Sequence, residues 1–121
     1  MTVWWPMLRG EVRLVDLDPA RSWEANKRRP AIIVSNDSAN RAAARLGRGV
    51  VTIVPLTSNT SRIYPFQVLV DARTAGLSVD SKAQAEQVRA VSIDRVGAAI
   101  GRVPVALMAQ VDAALRLHLG L

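Results

Sequence analysis

Polar and apolar residues alternate through Glu11-Val-Arg-Leu-Val-Asp-Leu17, with Val12, Leu14 and Asp16 on one side and Glu11, Arg13, Val15 and Leu17 on the other. A period of two predicts a β-strand with one face partly wet. Asp18-Pro19 ends it. The stretch from Ala20 to Arg28 is polar and has no period, which predicts a long loop. Ala31-Ile-Ile-Val34 is a continuous, largely β-branched run, the pattern of a strand buried on both faces. Ser35-Asn36-Asp37 offers caps for a short helix over Ser38 to Arg45, where Arg41 and Arg45 share a face. Gly47 and Gly49 bracket a turn, Val50 to Leu56 is another β-branched strand, and Ser58 to Ile63 a second polar loop. A strand follows over Pro65 to Val70, with proline near its start, where a missing N–H does least harm. Ala75-Gly76 and Ser78 mark turns, Gln84 to Val91 reads as one strand, Ser92 to Arg95 as a helical turn, and Val96 to Arg102 as a short glycine-interrupted strand. Pro104 suits the first position of a helix in which Leu107, Val111, Ala114/Leu115 and His118 recur at steps of three and four. Short strands joined by turns, with helices at the edges, predict a mainly β, α+β domain: a small barrel carrying an amphipathic C-terminal helix.

With 121 residues, half of them hydrophobic and 21% charged, the chain fits one globular domain. Residues 1–8 precede the first strand pattern and are expected to form a tail, leaving 9–121 as the domain. Trp4 and Trp5 then either pack on a partner or a symmetry mate, or lie upstream of a translation start at Met7. Without cysteine there is no disulfide and no thiolate metal site. No apolar run approaches the roughly 20 residues that span a bilayer, and no signal-peptide pattern opens the chain. A cytoplasmic protein without membrane association is expected.

Charge narrows the ligand class. Sixteen Lys and Arg stand against ten Asp and Glu, a net +6. Residues 1–62 hold ten basic and five acidic side chains, whereas residues 63–121 hold six and five. Positive potential gathered in one half attracts a polyanion and speeds its encounter, so nucleic acid is favoured.

Most catalytic chemistries lack their residues. His118 is the only histidine, which excludes a histidine-pair ribonuclease, and its place in the C-terminal helix points to packing or a helix-end charge effect. No Cys/His cluster, two-metal acidic site or glycine-rich phosphate loop is present, so no metal and no cofactor is expected. What remains is Glu24, Arg28, Arg29 and Thr57, with Gln87 and Arg89 as ligand contacts. Arg29-Pro30 heads one apolar run and Thr57 closes the next, so a guanidinium and a hydroxyl leave neighbouring strands near one spot. That pair suits a phosphodiester, whose non-bridging oxygens need charge and hydrogen bonds. RNA supplies its own nucleophile, the 2′-OH, and a protein has only to align it, neutralise phosphoryl charge and move two protons. Arg29 as base would demand a neutral guanidine, so charge stabilisation and acid catalysis towards the leaving group fall to it, and base catalysis, where a protein group supplies it, to Glu24. Alternatives stay open: Glu24 paired with Lys27 or Arg28, Gln87 satisfying a buried backbone group, Arg89 on a solvated strand face.

Arg9-Gly-Glu-Val-Arg-Leu-Val-Asp-Leu-Asp-Pro19, Glu24, Arg28-Arg29-Pro30-Ala-Ile-Ile-Val-Ser35, Val54-Pro55-Leu56-Thr57, Tyr64-Pro65-Phe66-Gln67-Val68 and Ala85-Glu-Gln-Val-Arg-Ala-Val91 follow in order. Together they resemble the MazF/PemK family of toxin endoribonucleases, or mRNA interferases, from Arg9 to the C-terminus. The resemblance implies an SH3-like barrel of the MazF/PemK/CcdB toxin type, with Arg29 and Thr57 catalytic and Glu24 in the adjoining loop. It implies a homodimer whose interface forms a groove for single-stranded RNA, and a cognate MazE-like antitoxin whose C-terminal tail covers that groove. The loops Asp18–Arg28 and Ser58–Tyr64 are then the sites of base preference, through Trp23, Lys27, Arg28, Ser58, Asn59, Gln87 and Arg89. Two departures stand out: Ser22-Trp23 where the family shows Gly-Ser before the glutamate, and Ala90 where Ser or Thr is usual. Competing readings are a non-catalytic relative that binds nucleic acid or poisons a protein target such as gyrase, and a DNA-binding regulator, which lacks its helix-turn-helix.

Overall fold

Apolar side chains at both odd and even positions of the second strand set the architecture. In the computed structural model, which describes residues 7–17 and 28–121, β2 (Arg28–Ile33) has Ala31 and Ile33 in one core and Ile32 in another. β1 (Glu11–Asp16) and β3 (Val50–Thr57) flank β2, antiparallel on either side. β4 (Gln67–Val70), β5 (Ser81–Gln84) and β7 (Val96–Arg102) extend the sheet in the order β4-β5-β3-β2-β1-β7, and β6 (Arg89–Ser92) also pairs with β3. One core lies under α3 (Val105–Leu119), joining its Met108, Val111 and Ala114 to Val12, Ile32, Val54 and Leu56. The other joins Ala43 of α1 (Asp37–Leu46) to Val15, Ile33, Ile53 and Ile93.

This is the mainly β, α+β architecture expected, but hydrogen bonds do not close the sheet into a barrel. β4 and β7 end it without pairing to each other. α2 (Ala72–Ala75), which follows β4 directly, packs on β7 instead. A methyl placed on Gly101 of β7 would sit 1.7 Å from the Ala75 carbonyl oxygen. A one-turn helix has no detectable period, so the sequence showed only its Gly76 stop.

Further expectations meet the structure differently. Gln84 to Val91 is not one strand: β5 and β6 flank a 3₁₀ turn over Ala85–Gln87. The partner of β3 changes register by three residues between Leu56↔Ala83 and Ile53↔Arg89, and the three-residue turn absorbs them. Alternation along β1 left open which face is wet, and the structure covers Arg13. It is 2% exposed, with its guanidinium donating to the Glu11 carboxylate and to the Gly97 carbonyl. His118 is exposed in the last turn of α3, which leaves the helix-end charge effect of the two roles expected and removes packing, and Pro104 caps that helix rather than opening it. Of the expected tail, residues 1–6 lie outside the described residues, whereas Met7 is fully buried.

α1 starts where Asn36 accepts the Ala39 N–H and ends at Gly47, whose φ of 68° suits glycine. Inside it Asn40, 0% exposed, ties helix to sheet. Its amide donates to the Ser35 carbonyl and its oxygen accepts the Ser35 hydroxyl, which in turn accepts the Thr52 N–H. Asn40→Ala strands those buried groups and is expected to lower unfolding free energy by about 2 kcal/mol, measured by urea denaturation.

Candidate nucleic-acid cleavage site

The β2–β3 register builds the site. Ala31 faces Pro55, and the same register continued by two residues sets Arg29 across from Thr57. Directly opposed side chains on antiparallel strands share a face, with Cβ atoms about 5 Å apart. Pro30 and Pro55 have no N–H to give, so regular pairing stops short of this end and leaves it open. Arg29 and Thr57 line one cleft of about 430 Å³ with Ser58, Pro30 and Leu56, walled by Leu77 to Val79. Arg29 also lines a second cleft of about 270 Å³ with Gln84, Gln87 and Arg89. Its guanidinium therefore stands between two depressions, and among the described residues no carboxylate pairs with it.

Thr57 is prepared as a donor. Its Oγ1 accepts the Asn59 N–H at 3.3 Å, leaving the hydroxyl proton to be given to a ligand. A guanidinium and a hydroxyl so placed can grip two oxygens of one anionic group.

The other expected residues divide. Ser58 lines the larger cleft; Gln87 and Arg89 line the smaller. Arg89 also donates to the Leu17 carbonyl at 3.1 Å, pinning the residue that follows β1. Asn59 is exposed and bonds within its own loop, its side-chain oxygen accepting the Ser61 N–H and hydroxyl. Arg28 points away from Arg29, as alternation demands, and its guanidinium lies on Gly97 of β7, where a methyl would meet Nη1 at 2.6 Å. Trp23, Glu24 and Lys27 lie outside the described residues. Missed from sequence were Gln84, Leu77, Ser78, Val79 and Ser81, which line the clefts, and Lys82, which pairs with Thr57 from the far side. Reading Ser81–Gln84 as the partner of β3 would have found them. Among the described residues no group of three or more His, Cys, Asp or Glu is placed to hold a metal ion, and no helix is long and apolar enough to cross a membrane.

Comparison with known proteins gives a consistent result. The PemK-like, MazF-like toxin family of type II toxin-antitoxin systems matches residues 8–119. Endoribonuclease MazF9 of Mycobacterium tuberculosis is 61% identical over 115 residues, covering 95% of this chain and 98% of the relative. Endoribonuclease EndoA of Bacillus subtilis is 29% identical over 113 residues, 93% and 94% of the two chains. A mycobacterial endoribonuclease solved with its cognate antitoxin superposes with a TM-score of 0.70 at 31% identity, covering 94% and 95%. MazF from Deinococcus radiodurans shares the fold, with a TM-score of 0.74 at 24% identity over 94% and 96%.

Proposed function

The chain belongs to the PemK/MazF family of type II toxins, and from that membership we propose that it is a toxin endoribonuclease whose cutting site is the Arg29–Thr57 cleft. The observation that carries the reading is the pairing of a guanidinium and a donor hydroxyl, from adjacent antiparallel strands, in one cleft. The substrate is single-stranded RNA. Its 2′-OH attacks the adjacent phosphorus in line, the P–O5′ bond breaks, and the products carry a 2′,3′-cyclic phosphate and a 5′-OH. Arg29 holds the non-bridging oxygens bidentately as their charge grows, and Thr57 donates its hydroxyl proton to one of them. Glu24, five residues upstream of Arg29 in the sequence, takes the 2′-OH proton, and the departing 5′-oxygen is protonated by Arg29 or water. The nucleophile belongs to the RNA, so no metal is required. The working unit in this reading is a cytoplasmic homodimer, silenced when a MazE-like antitoxin lays its C-terminal tail over the RNA groove; a mycobacterial relative solved with its cognate antitoxin supports such a partner.

Purified protein incubated with a long RNA and EDTA, followed by end mapping, tests this. Cuts with 2′,3′-cyclic phosphate and 5′-OH ends, blocked by a 2′-deoxy nucleotide at the site, are expected. Intact RNA, or 3′-OH ends, would overturn the reading. Thr57→Val, close in shape but without a donor, is expected to slow single-turnover cleavage about 100-fold, whereas Thr57→Ser stays within about 10-fold.

A further inference from the structure

Only part of the positive charge gathered in residues 1–62 serves the cutting site or the fold. Arg29 lines the clefts. Arg9 pairs with Asp112, Arg13 pairs with Glu11, Arg28 lies on Gly97, and Arg62 donates to the Tyr64 hydroxyl. Arg41, Arg45 and Arg48 are exposed, and among the described residues none of the three makes a hydrogen bond or an ion pair. Two carboxylates of this region are turned to other partners. Asp37, in the first turn of α1, accepts the Arg9 N–H, and Asp94 accepts the Ser92 hydroxyl beside the Ile93 N–H bond to the Gly49 carbonyl.

The three arginines belong to one surface. Arg41 and Arg45 stand one helical turn apart on α1, away from Asn40, Ala43 and Ala44, which are buried. Arg48 follows Gly47, the left-handed residue that ends the helix, and β3 begins two residues later. Through Ala43, α1 covers the core that holds Ala31, Ile33, Val51 and Ile53. Every second residue of a strand shares a face, so Arg29 lies on the side of Ala31 and Ile33, and Thr57 on the side of Val51 and Ile53. The cutting pair and the arginines of α1 are therefore on one side of the sheet. They sit towards opposite ends of β3, whose eight residues put Val50 and Thr57 at most about 24 Å apart.

We propose that Arg41, Arg45 and Arg48 form a remote RNA-binding surface, separate from both clefts, that takes backbone phosphates several nucleotides away from the cut. The surface rests on the ribonuclease reading and adds what that reading leaves open: selection of RNA by its extent beyond the cleavage site. RNA is favoured over an acidic protein because one polyanion crossing this side of the sheet reaches both Arg29 and α1, an alignment that a separate protein does not need. Guanidiniums without counterions gain affinity by displacing the ions around phosphates, and such contacts carry no base identity. Long RNA is therefore held more tightly than a short piece with the same cut site, and the advantage fades as salt rises.

The test uses the full chain and two RNAs that share one mapped cut site, a short one barely spanning it and a long one extending well past it on both sides. Affinity is measured on versions made uncleavable by a 2′-deoxy nucleotide at the site. Arg41→Gln, Arg45→Gln and Arg48→Gln combined are expected to lower the slope of log affinity against log salt by about 2 on the long RNA, three phosphate contacts of a single strand. On cleavable long RNA at low salt the combined variant should raise KM about 10-fold or more and leave kcat within about 3-fold, the signature of lost uniform binding. On the short RNA both constants should stay within about 2-fold, because the chain does not reach α1. Lysine at all three positions should restore the salt slope, since a point charge suffices for a backbone phosphate. An unchanged slope and KM on long RNA overturn the surface, as does an equal loss on both RNAs, while cleavage of the short RNA preserves the ribonuclease reading. A lower melting temperature at an unchanged slope also overturns it and confines the arginines to supporting the end of α1. Loss of polyglutamate binding at an unchanged RNA slope overturns it in favour of an acidic protein. No cleavage of either RNA by the unaltered protein in EDTA removes the ribonuclease reading and this surface together.

Discussion

Arg29→Ala is expected to cut RNA about 1,000-fold more slowly than the unaltered protein while unfolding at the same temperature. The two halves of that expectation have separate causes. Arg29 is exposed at the start of β2, and among the described residues no hydrogen bond or ion pair engages its guanidinium, so its loss removes nothing that holds the fold. In the proposed transition state the same group meets two phosphoryl oxygens whose charge is rising. Removing a single donor from such an oxyanion costs about 100- to 1,000-fold, and an arginine that stabilises phosphoryl charge is worth about 1,000-fold or more. Arg29→Lys separates charge from shape. A lysine keeps the positive charge but loses the planar fork, so it should recover only part of the rate. Single-turnover cleavage of a defined RNA, with thermal unfolding as the control, decides the matter. An alanine variant within about 10-fold of the unaltered protein would remove Arg29 from the chemistry.

Why this cleft was legible in the sequence, and its neighbours less so, follows from what strand pairing does to linear spacing. Arg29 and Thr57 sit at facing ends of two β-branched runs, and antiparallel pairing of those runs sets them opposite one another almost regardless of detail. Lys82 is different. Ser81–Gln84 is a polar strand of four residues with little apolar alternation, and only its ladder with Leu56 and Thr57 makes Lys82 a neighbour of the site. Arg13 was illegible for another reason. Alternation does not say which face of β1 is wet; the β1–β7 pairing shifts register on both sides of Arg13, and Glu11 and Gly97 satisfy its guanidinium under cover. Arg28 and Arg29 read alike in sequence, but a strand turns successive side chains to opposite faces, so one reaches the cleft and the other lies on Gly97.

The same geometry makes Gly101→Ala the most destabilising single methyl expected in the described fold. The sheet does not close on itself; α2, which follows β4, packs on β7 at the other end of the order, and it can approach so closely only because Ala75 touches bare backbone there. A Cβ on Gly101 would lie 1.7 Å from the Ala75 carbonyl oxygen and 2.6 Å from its carbon, and both atoms are main chain, with no rotamer to move aside. Relief requires α2 to lift from β7, which withdraws Ala75, now 0% exposed, from the core shared by Val12, Val70 and Val103. Overpacking a core commonly costs about 1–3 kcal/mol even where side chains can yield, so about 3 kcal/mol or more is expected here. For a domain of this size that corresponds to a fall of about 10 °C or more in Tm. Gly120→Ala is the control. Its φ of 72° disfavours alanine, but nothing lies within 4 Å of the added methyl, so about 1 kcal/mol covers the strain alone. Equal melting temperatures for the two variants would show that α2 does not bridge the open sheet. A much larger loss for Gly101→Ala, with the Arg29–Thr57 cleft still active at low temperature, would show that the junction stabilises the fold without taking part in the chemistry.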